Sequence, residues 1–329
     1  LSDWDEVDEP WQFMAACEEY HACVIACTRH HTSLPVATDA TCSGLQILAG
    51  LAKDASTAKL VNVLPSDKPQ DAYKVVAEQA TPHVPDSIKP YMDRKTVKRV
   101  VMTVPYNAKP YSNRGYIREA LKEKGVEVDK DDLTATVKAV RDAMNVIVPG
   151  PMSVMSWIES EVSNAIDRGL TEITWTTPSG FSVTQRLMKP DVKNIELQLL
   201  GRCQVKVSTG DTDKVDKAHH KNATAPNLIH SLDASHMLDT INRMYNDGIS
   251  SFSMIHDSFG CHANDVPKMH KHIRESFVEM YDNNNPSLVL AETTAKKSAA
   301  EDWESCTIHP PSRSSLDIHD VLQSEYFFS

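Results

Sequence analysis

Asp39 and Asp257 are the residues of this sequence best suited to chemistry. Asp39 closes the short run "LPVATDA" and stands just before a helical stretch. Asp257, with His256 ahead of it, lies in the middle of "SSFSMIHDSFGCHAN", which has the apolar look of a strand that turns back on itself. Two carboxylates delivered by separate strands to the edge of one sheet can hold a pair of divalent ions. Mg2+ prefers oxygen ligands and shares carboxylates with substrate phosphates. Two such ions roughly 3.5–4 Å apart clamp the attacking and leaving oxygens of a phosphoryl transfer. Taken singly, each aspartate reads more simply as a turn cap, and their distance in sequence does not pair them.

Two further groups could serve that chemistry. Arg94 and Lys98 are four residues apart in "RKTVKRVVMTVPY", so on a helix they share a face, with Tyr106 farther along broadly the same side. A guanidinium, an ammonium and a phenol suit a triphosphate and what it carries; a solvated basic face is the plainer alternative. In "NIELQLLGRCQVKV", Asn194, Glu196, Gln198, Arg202, Gln204 and Lys206 alternate with apolar residues about Gly201. Side chains two apart share a strand face, and such a ribbon offers donors and acceptors to base edges in a DNA major groove. An exposed amphipathic hairpin would look the same.

These groups need positioning elements. Helical spacing covers 10–31, 43–54 with Ser43 as its possible cap, 66–80, most of 85–106 up to Pro105, two helices within 115–145, and a helix from "PGP" (149–151) to about Arg168. A hairpin around "PSG" (170–187) follows, then the 194–207 hairpin, a long helix over 224–248, the 251–263 hairpin and a helix at about 265–284. The class is α+β, a small antiparallel sheet among many helices.

Composition sets the outer limits. The 329 residues are 41% hydrophobic and 24% charged, as in an ordinary globular chain. No apolar run is long enough to span a membrane, so no membrane partner is expected. Seven cysteines without paired spacing point to a reducing compartment. Cys23 and Cys27 are one helical turn apart near His30 and His31, but they match no zinc spacing and suit a helix interface better. The net charge of −11 does not advertise nucleic-acid binding. Basic residues are nevertheless concentrated at 89–118 and 186–221, and local clefts rather than net charge decide phosphate binding.

In this order the segments resemble the single-subunit RNA polymerases of T-odd phages and mitochondria, over nearly the whole chain. "DATCSGLQILAGLAKD" is similar to the first catalytic palm motif, "RKTVKRVVMTVPYNAKPY" to the fingers motif and "IHDSFG" to the second palm motif. "LPSDKPQDAY", "APNLIHSLDASH", the 194–207 hairpin and the terminal "YFFS" also have counterparts. The resemblance implies a right-hand palm and fingers, divided as palm 1–65, fingers 66–150, palm with specificity hairpin 151–264 and C-terminal palm extension 265–329. The family's N-terminal domain and thumb would lie outside this chain, which would be either a fragment or one piece of a split enzyme with a separate partner polypeptide. It implies two Mg2+ ions on Asp39, Asp257 and the Ala40 carbonyl, with His256 beside them. Arg94 and Lys98 would contact nucleotide phosphates, with Tyr73 near the incoming nucleotide. Tyr106 would sense the ribose 2′-OH and His230 the nascent base pair. Asn194, Glu196, Gln204 and Lys206 would read promoter DNA. The partners implied are template DNA, nascent RNA and nucleoside triphosphates, and the setting is the cytoplasm of a phage-infected bacterium.

Three rival readings stand against this one, of which a two-metal nuclease gives no reason for Tyr106 or the alternating hairpin. A family-A-like DNA polymerase would carry a glutamate after the first aspartate and "HDE" in the later motif. Here "ATCSG" and "HDS" stand in those places and favour RNA synthesis. A catalytically inactive nucleic-acid-binding fragment would not need the full set of acids and bases retained here. Asn107 departs from the glycine usual after the tyrosine, which should make a positive φ less accessible there, although asparagine tolerates it better than most residues. Ala40 replaces another common glycine, with little expected effect.

Overall fold

The structure is a computed structural model and describes residues 7–197, 203–296 and 307–328. Helix α1 (Pro10–Tyr20) passes into a wider π-turn at His21–Ile25 and then into non-helical chain, so the helix expected over 10–31 ends early. It buries none of its residues, and Cys27 with φ 51° breaks the continuation. Strand β1 (Pro35–Asp39) leads into α2 (Ser43–Ala52), buried from Gly44 to Ala52. Cys42, not Ser43, occupies the N-cap of α2; Ser43 is already helical.

Helices α3 (Ala55–Leu60) and α4 (Ala72–Ala80) start on aspartate caps, Asp54 and Asp71, whose side chains accept backbone N–H groups of the first turn. Helix α5 is Arg94–Thr103, shorter than the 85–106 expected. Pro85 and Pro90 interrupt the preceding segment, which forms only a 3-10 turn at Lys89–Tyr91, and Asp93 caps the true start through Thr96 N–H. Val97, Val100, Val101 and Val104 are all buried, an i, i+3, i+4, i+7 stripe that leaves Arg94 and Lys98 outside. Helices α6 (Pro110–Glu123), α7 (Lys130–Ile147) and α8 (Pro149–Asp167) complete this helical half.

The remaining elements are strands β2 (Ile173–Thr176) and β3 (Ser182–Gln185), paired around "PSG", and the long hairpin β4 (Met188–Leu197) and β5 (Cys203–Val215). Gln198, Gly201 and Arg202, expected at that hairpin's tip, lie outside the described residues. Helix α9 (Lys217–Asn246) begins a full seven residues before the expected 224, capped by Asp216. Strands β6 (Ser253–Ile255) and β7 (Ser258–His262), then α10 (Val266–Asp282) and α11 (Pro286–Lys296), follow. The central sheet has the order β1-β7-β6, all antiparallel, so the α+β class expected from sequence holds. Among the described residues no helix is long and apolar enough to cross a membrane.

The end of the chain returns beneath this sheet. After a 3-10 turn at Ile318–Gln323, Phe328 bridges to Ala40, and the Phe327 carbonyl accepts from Gln46 Nε2 at 3.0 Å. Arg274 on α10 holds the approach, donating from Nε and Nη2 to the Ser324 carbonyl at 2.9 and 2.7 Å. Phe259, Phe277, Phe327 and Phe328 surround His236 of α9, with ring centroids 5.5–6.3 Å from its imidazole. Its Nε2–H donates to the Ile273 carbonyl at 2.8 Å.

That imidazole is kept neutral: burial pushes it down to about 4, only partly opposed by the Ile273 carbonyl and Asp239. The unfolded chain therefore takes up the proton first, near the ordinary histidine value of about 6.5. Stability is fully present above that value and is lost as pH falls toward 4. The expected loss from this residue is on the order of 1–3 kcal/mol. Urea unfolding at pH 7 and pH 4.5 measures it, and His236→Gln should flatten the dependence over that window. An unchanged slope in the mutant would reject the assignment to His236.

Candidate active site

The sheet register brings the two aspartates together. Asp39 is opposite Ser258, and Asp257 immediately precedes it at the tip of the β6–β7 hairpin. Only His256 and Asp257 form this two-residue loop. His256 has φ 54°, the positive value that such tight hairpin turns need at the first loop position. Ala40 N–H donates to the Asp257 carbonyl at 3.0 Å, carrying the ladder one residue past β1 and fixing the two acids relative to each other. Asp39 is exposed and Asp257 half-buried.

Both line one cavity of about 620 Å3. Ala40, Tyr73, Arg94, Lys98, Tyr106 and His256 line it too, so eight of the residues singled out from sequence converge there. The acids come from the sheet edge, Arg94 and Lys98 from the polar face of α5, Tyr73 from the first turn of α4, and Tyr106 from the turn that follows α5.

The basic groups differ in their commitments. Arg94 Nε is 2.7 Å from Asp71 Oδ2, and its guanidinium lies over the Tyr73 ring, 5.3 Å from the centroid. Asp71 thus caps α4 and orients Arg94 at once, a double role that α4 periodicity gave no sign of. Lys98 makes no ion pair among the described residues and is exposed to the cavity.

Tyr106 is held on two sides. Its ring stacks on His230 of α9, with centroids 4.7 Å apart and planes 17° apart. Its hydroxyl lies 3.4 Å from Ser43 Oγ. A Cβ on Gly44 would come within 3.1 Å of that hydroxyl, so only glycine lets α2 approach so closely. Burial pushes the Tyr106 phenol up to about 12, so it stays protonated and can donate. His230 does not line the cavity but backs the ring that does; burial, then the neighbouring His256, lower its basicity.

Asp233 was not anticipated. It lies three residues beyond His230 on α9, is 8% exposed, and burial together with the nearby Asp257 raises its carboxyl to about 6. The i, i+3 spacing from His230 was its one sequence signal.

Asn194, Glu196, Gln204 and Lys206 do not join the cavity. They lie on the β4–β5 hairpin, where Asn194 is opposite Lys206 and Glu196 opposite Gln204. Those pairings put all four on one face, and all four are exposed.

The donor set suits a hard cation. Two carboxylates from adjacent positions and the cavity-lining Ala40 backbone supply oxygen only, the preference of Mg2+, whereas thiolate or imidazole sets select softer ions.

A family model described as DNA-dependent RNA polymerase matches residues 2–307. The chain is similar to the chloroplastic DNA-directed RNA polymerase 3 of Nicotiana sylvestris, 32% identical over 99% of this chain and 34% of the relative. The mitochondrial DNA-directed RNA polymerase of Mus musculus is 30% identical over 99% of this chain and 29% of its own length. The DNA-directed RNA polymerase of Enterobacteria phage T3 is 28% identical over 99% of this chain and 43% of its own. The chain therefore spans well under half the length of each of these relatives. With the family model covering almost all of it and organelle and phage enzymes aligned over 99% of its length, the chain belongs to the phage and mitochondrial type of DNA-dependent RNA polymerase family.

Proposed function

We propose that this chain is the nucleotidyl-transfer part of a DNA-directed RNA polymerase. The observation that carries the reading is the single cavity where Asp39 and Asp257 meet Lys98 and Tyr106, in a chain of that family. The reaction joins the 3′-hydroxyl oxygen of nascent RNA to the α-phosphorus of a nucleoside triphosphate. The bond to the bridging oxygen breaks, the hydroxyl proton is lost and pyrophosphate leaves.

On this reading residues 1–65 and 151–264 are palm, 66–150 fingers and 265–329 the C-terminal palm extension. Asp39 and Asp257, with the Ala40 carbonyl, would hold two Mg2+ ions, which supply charge neutralisation and Lewis acidity when bound. Lys98 contributes a fixed positive charge to the triphosphate, and Arg94, oriented by Asp71, a second one. Charge placed before the reaction begins is the main resource in phosphoryl transfer. His256 orients the hairpin tip. Tyr73 shapes the floor under Arg94. Tyr106, protonated and stacked on His230, donates to the ribose 2′-OH of the incoming nucleotide.

Tyr106→Phe removes that donor while keeping the ring and its stacking. The preference for ribo- over deoxyribonucleotides should fall by about tenfold or more, because a site built to bond a hydroxyl discriminates through it. Single-nucleotide incorporation on a tailed template measures both sugars. A wild-type preference for deoxyribonucleotides would instead favour the DNA-polymerase reading, and unchanged selectivity in the mutant would remove Tyr106 from sugar sensing.

The β4–β5 hairpin is the proposed promoter reader, supported by the exposed polar face that carries Asn194, Glu196, Gln204 and Lys206. Substituting Glu196, Gln204 or Lys206 should change promoter preference and leave elongation on tailed templates intact. Equal losses on both templates would point to a folding defect instead. Helix α1 buries no residue and exposes Trp11, Tyr20 and Ile25 nearby. That apolar surface is our proposed contact for a further polymerase region, drawn from the part of the relatives' length that this chain does not span.

A further inference from the structure

Residues 103–109 turn the end of α5 toward α6. Asn107 N–H donates to the Val104 carbonyl at 2.8 Å, and Ala108 N–H to the Thr103 carbonyl at 3.1 Å. This nested pair is the common helix C-terminal motif whose left-handed residue is Asn107, with φ 62°. The expected difficulty with positive φ at Asn107 is thus overcome: asparagine is the side-chain-bearing residue that enters this region most readily. Glycine would serve the backbone at least as well, so the side chain needs its own account.

Asn107 Nδ2 donates to the Asn222 carbonyl of α9 at 3.1 Å. In a regular helix that carbonyl would accept from the N–H four residues on. Here that residue is Pro226, inside α9, which has no N–H. The proline opens one acceptor on the side of an otherwise continuous helix, and the Asn107 amide fills it. Asn107 Oδ1 in turn accepts from Lys109 Nζ at 2.7 Å, and the same ammonium reaches Glu159 Oε1 of α8 at 2.9 Å. Lys221 of α9 approaches Glu159 from the other side, at 3.5 Å. Burial pushes the Glu159 carboxyl up, but Lys109, Asn107 and Lys221 outweigh it and hold it below its usual range. It therefore stays anionic between the two lysines.

Pro226 and His230 are one helical turn apart on α9, and Asn107 and Tyr106 are adjacent in the turn. The latch and the ring stack are therefore neighbouring contacts between the same two elements. We propose that Asn107 is a positioning residue for nucleotide selection: its bond to the carbonyl released by Pro226 latches the turn to α9 and fixes the Tyr106 ring against His230 at the cavity wall. The inference rests on the reading that this cavity takes a nucleoside triphosphate.

Asn107→Gly keeps the left-handed backbone and removes the latch. Asn107→Asp keeps a residue tolerant of that backbone but offers no donor to the Asn222 carbonyl. Pro226→Ala attacks the other side, supplying an N–H that draws the carbonyl back into the helix. Each should raise the KM for ribonucleotides and lower sugar selectivity by about fivefold, the scale of one net hydrogen bond, with a smaller change in kcat. Asn107→Gly combined with Pro226→Ala should be no worse than either alone, since both remove one contact. Amide hydrogen exchange on this chain should quicken at 104–109 in all of them, while the unfolding midpoint of Asn107→Gly stays put. Wild-type selectivity and KM in Asn107→Gly, or additive effects in the double mutant, would overturn the latch. A wild-type polymerase that incorporates no ribonucleotide would overturn the functional reading beneath it. The exchange measurement tells these failures apart, because it needs no turnover.

Discussion

Asp39→Asn or Asp257→Asn is expected to reduce RNA elongation by on the order of 10³-fold or more, while binding to template DNA is retained. Asparagine keeps the size and one oxygen of each side chain, so the β1-β7-β6 ladder and the two-residue loop have no reason to change. What disappears is one negative charge at the sheet edge, and with it, on the proposed reading, most of the affinity for hard divalent ions. The measurement is single-nucleotide extension with this chain in its full polymerase context, beside anisotropy of labelled template. The two substitutions should resemble each other and should not add, because either breaks a shared site. Elongation by either mutant above about a tenth of the wild-type rate would refute the two-acid assignment.

Phe327→Ala is expected to destabilise the chain by about 3–5 kcal/mol. The side chain is 1% exposed. Its ring meets Phe277 edge-on at 4.8 Å and Phe328 at 5.0 Å. The hydrogen bonds around it run to its own carbonyl and to those of Tyr326 and Ser324, so they compete against relaxation into the space left behind. A site that cannot collapse keeps its cavity and the full cost of it. Urea unfolding of this chain at neutral pH gives the number. Phe13→Ala, on the half-exposed surface of α1, should change it by no more than about 0.5 kcal/mol. A loss below about 1 kcal/mol for Phe327→Ala would mean that the tail is not part of the cooperative core. The same substitution should slow elongation, because Phe328 bridges to Ala40, next to Asp39.

Much of this protein was legible in one dimension. The helices at 43–54 and from "PGP" to about Arg168, the "PSG" hairpin and the turn at "IHDS" follow from local periodicity and turn chemistry, and the structure keeps them. The errors were local as well. Helix boundaries at 10–31, 85–106 and 224–248 shifted because a helix without a packing partner ends early, prolines cut one start back, and Asp216 capped another start further upstream. Ser43 looked like a cap by type, yet it is helical and turns its hydroxyl toward Tyr106.

The candidate site divides along the same line. The sequence by itself determined which side chains could do the chemistry, since Asp39, Asp257, Arg94, Lys98 and Tyr106 sit in motifs with their own spacing. Their convergence was decided only by tertiary structure. It depends on the register of β1 against β7, on α2 closing to glycine distance from Tyr106, and on α9 presenting His230 behind that ring. The pairing of Arg94 with Asp71, the burial of Asp233 beside Asp257 and the reach of Asn107 to a carbonyl 115 residues away have no local signature. A hydrogen-bond donor declares itself in sequence, but its acceptor does not, because which carbonyl it meets is fixed by how whole helices pack.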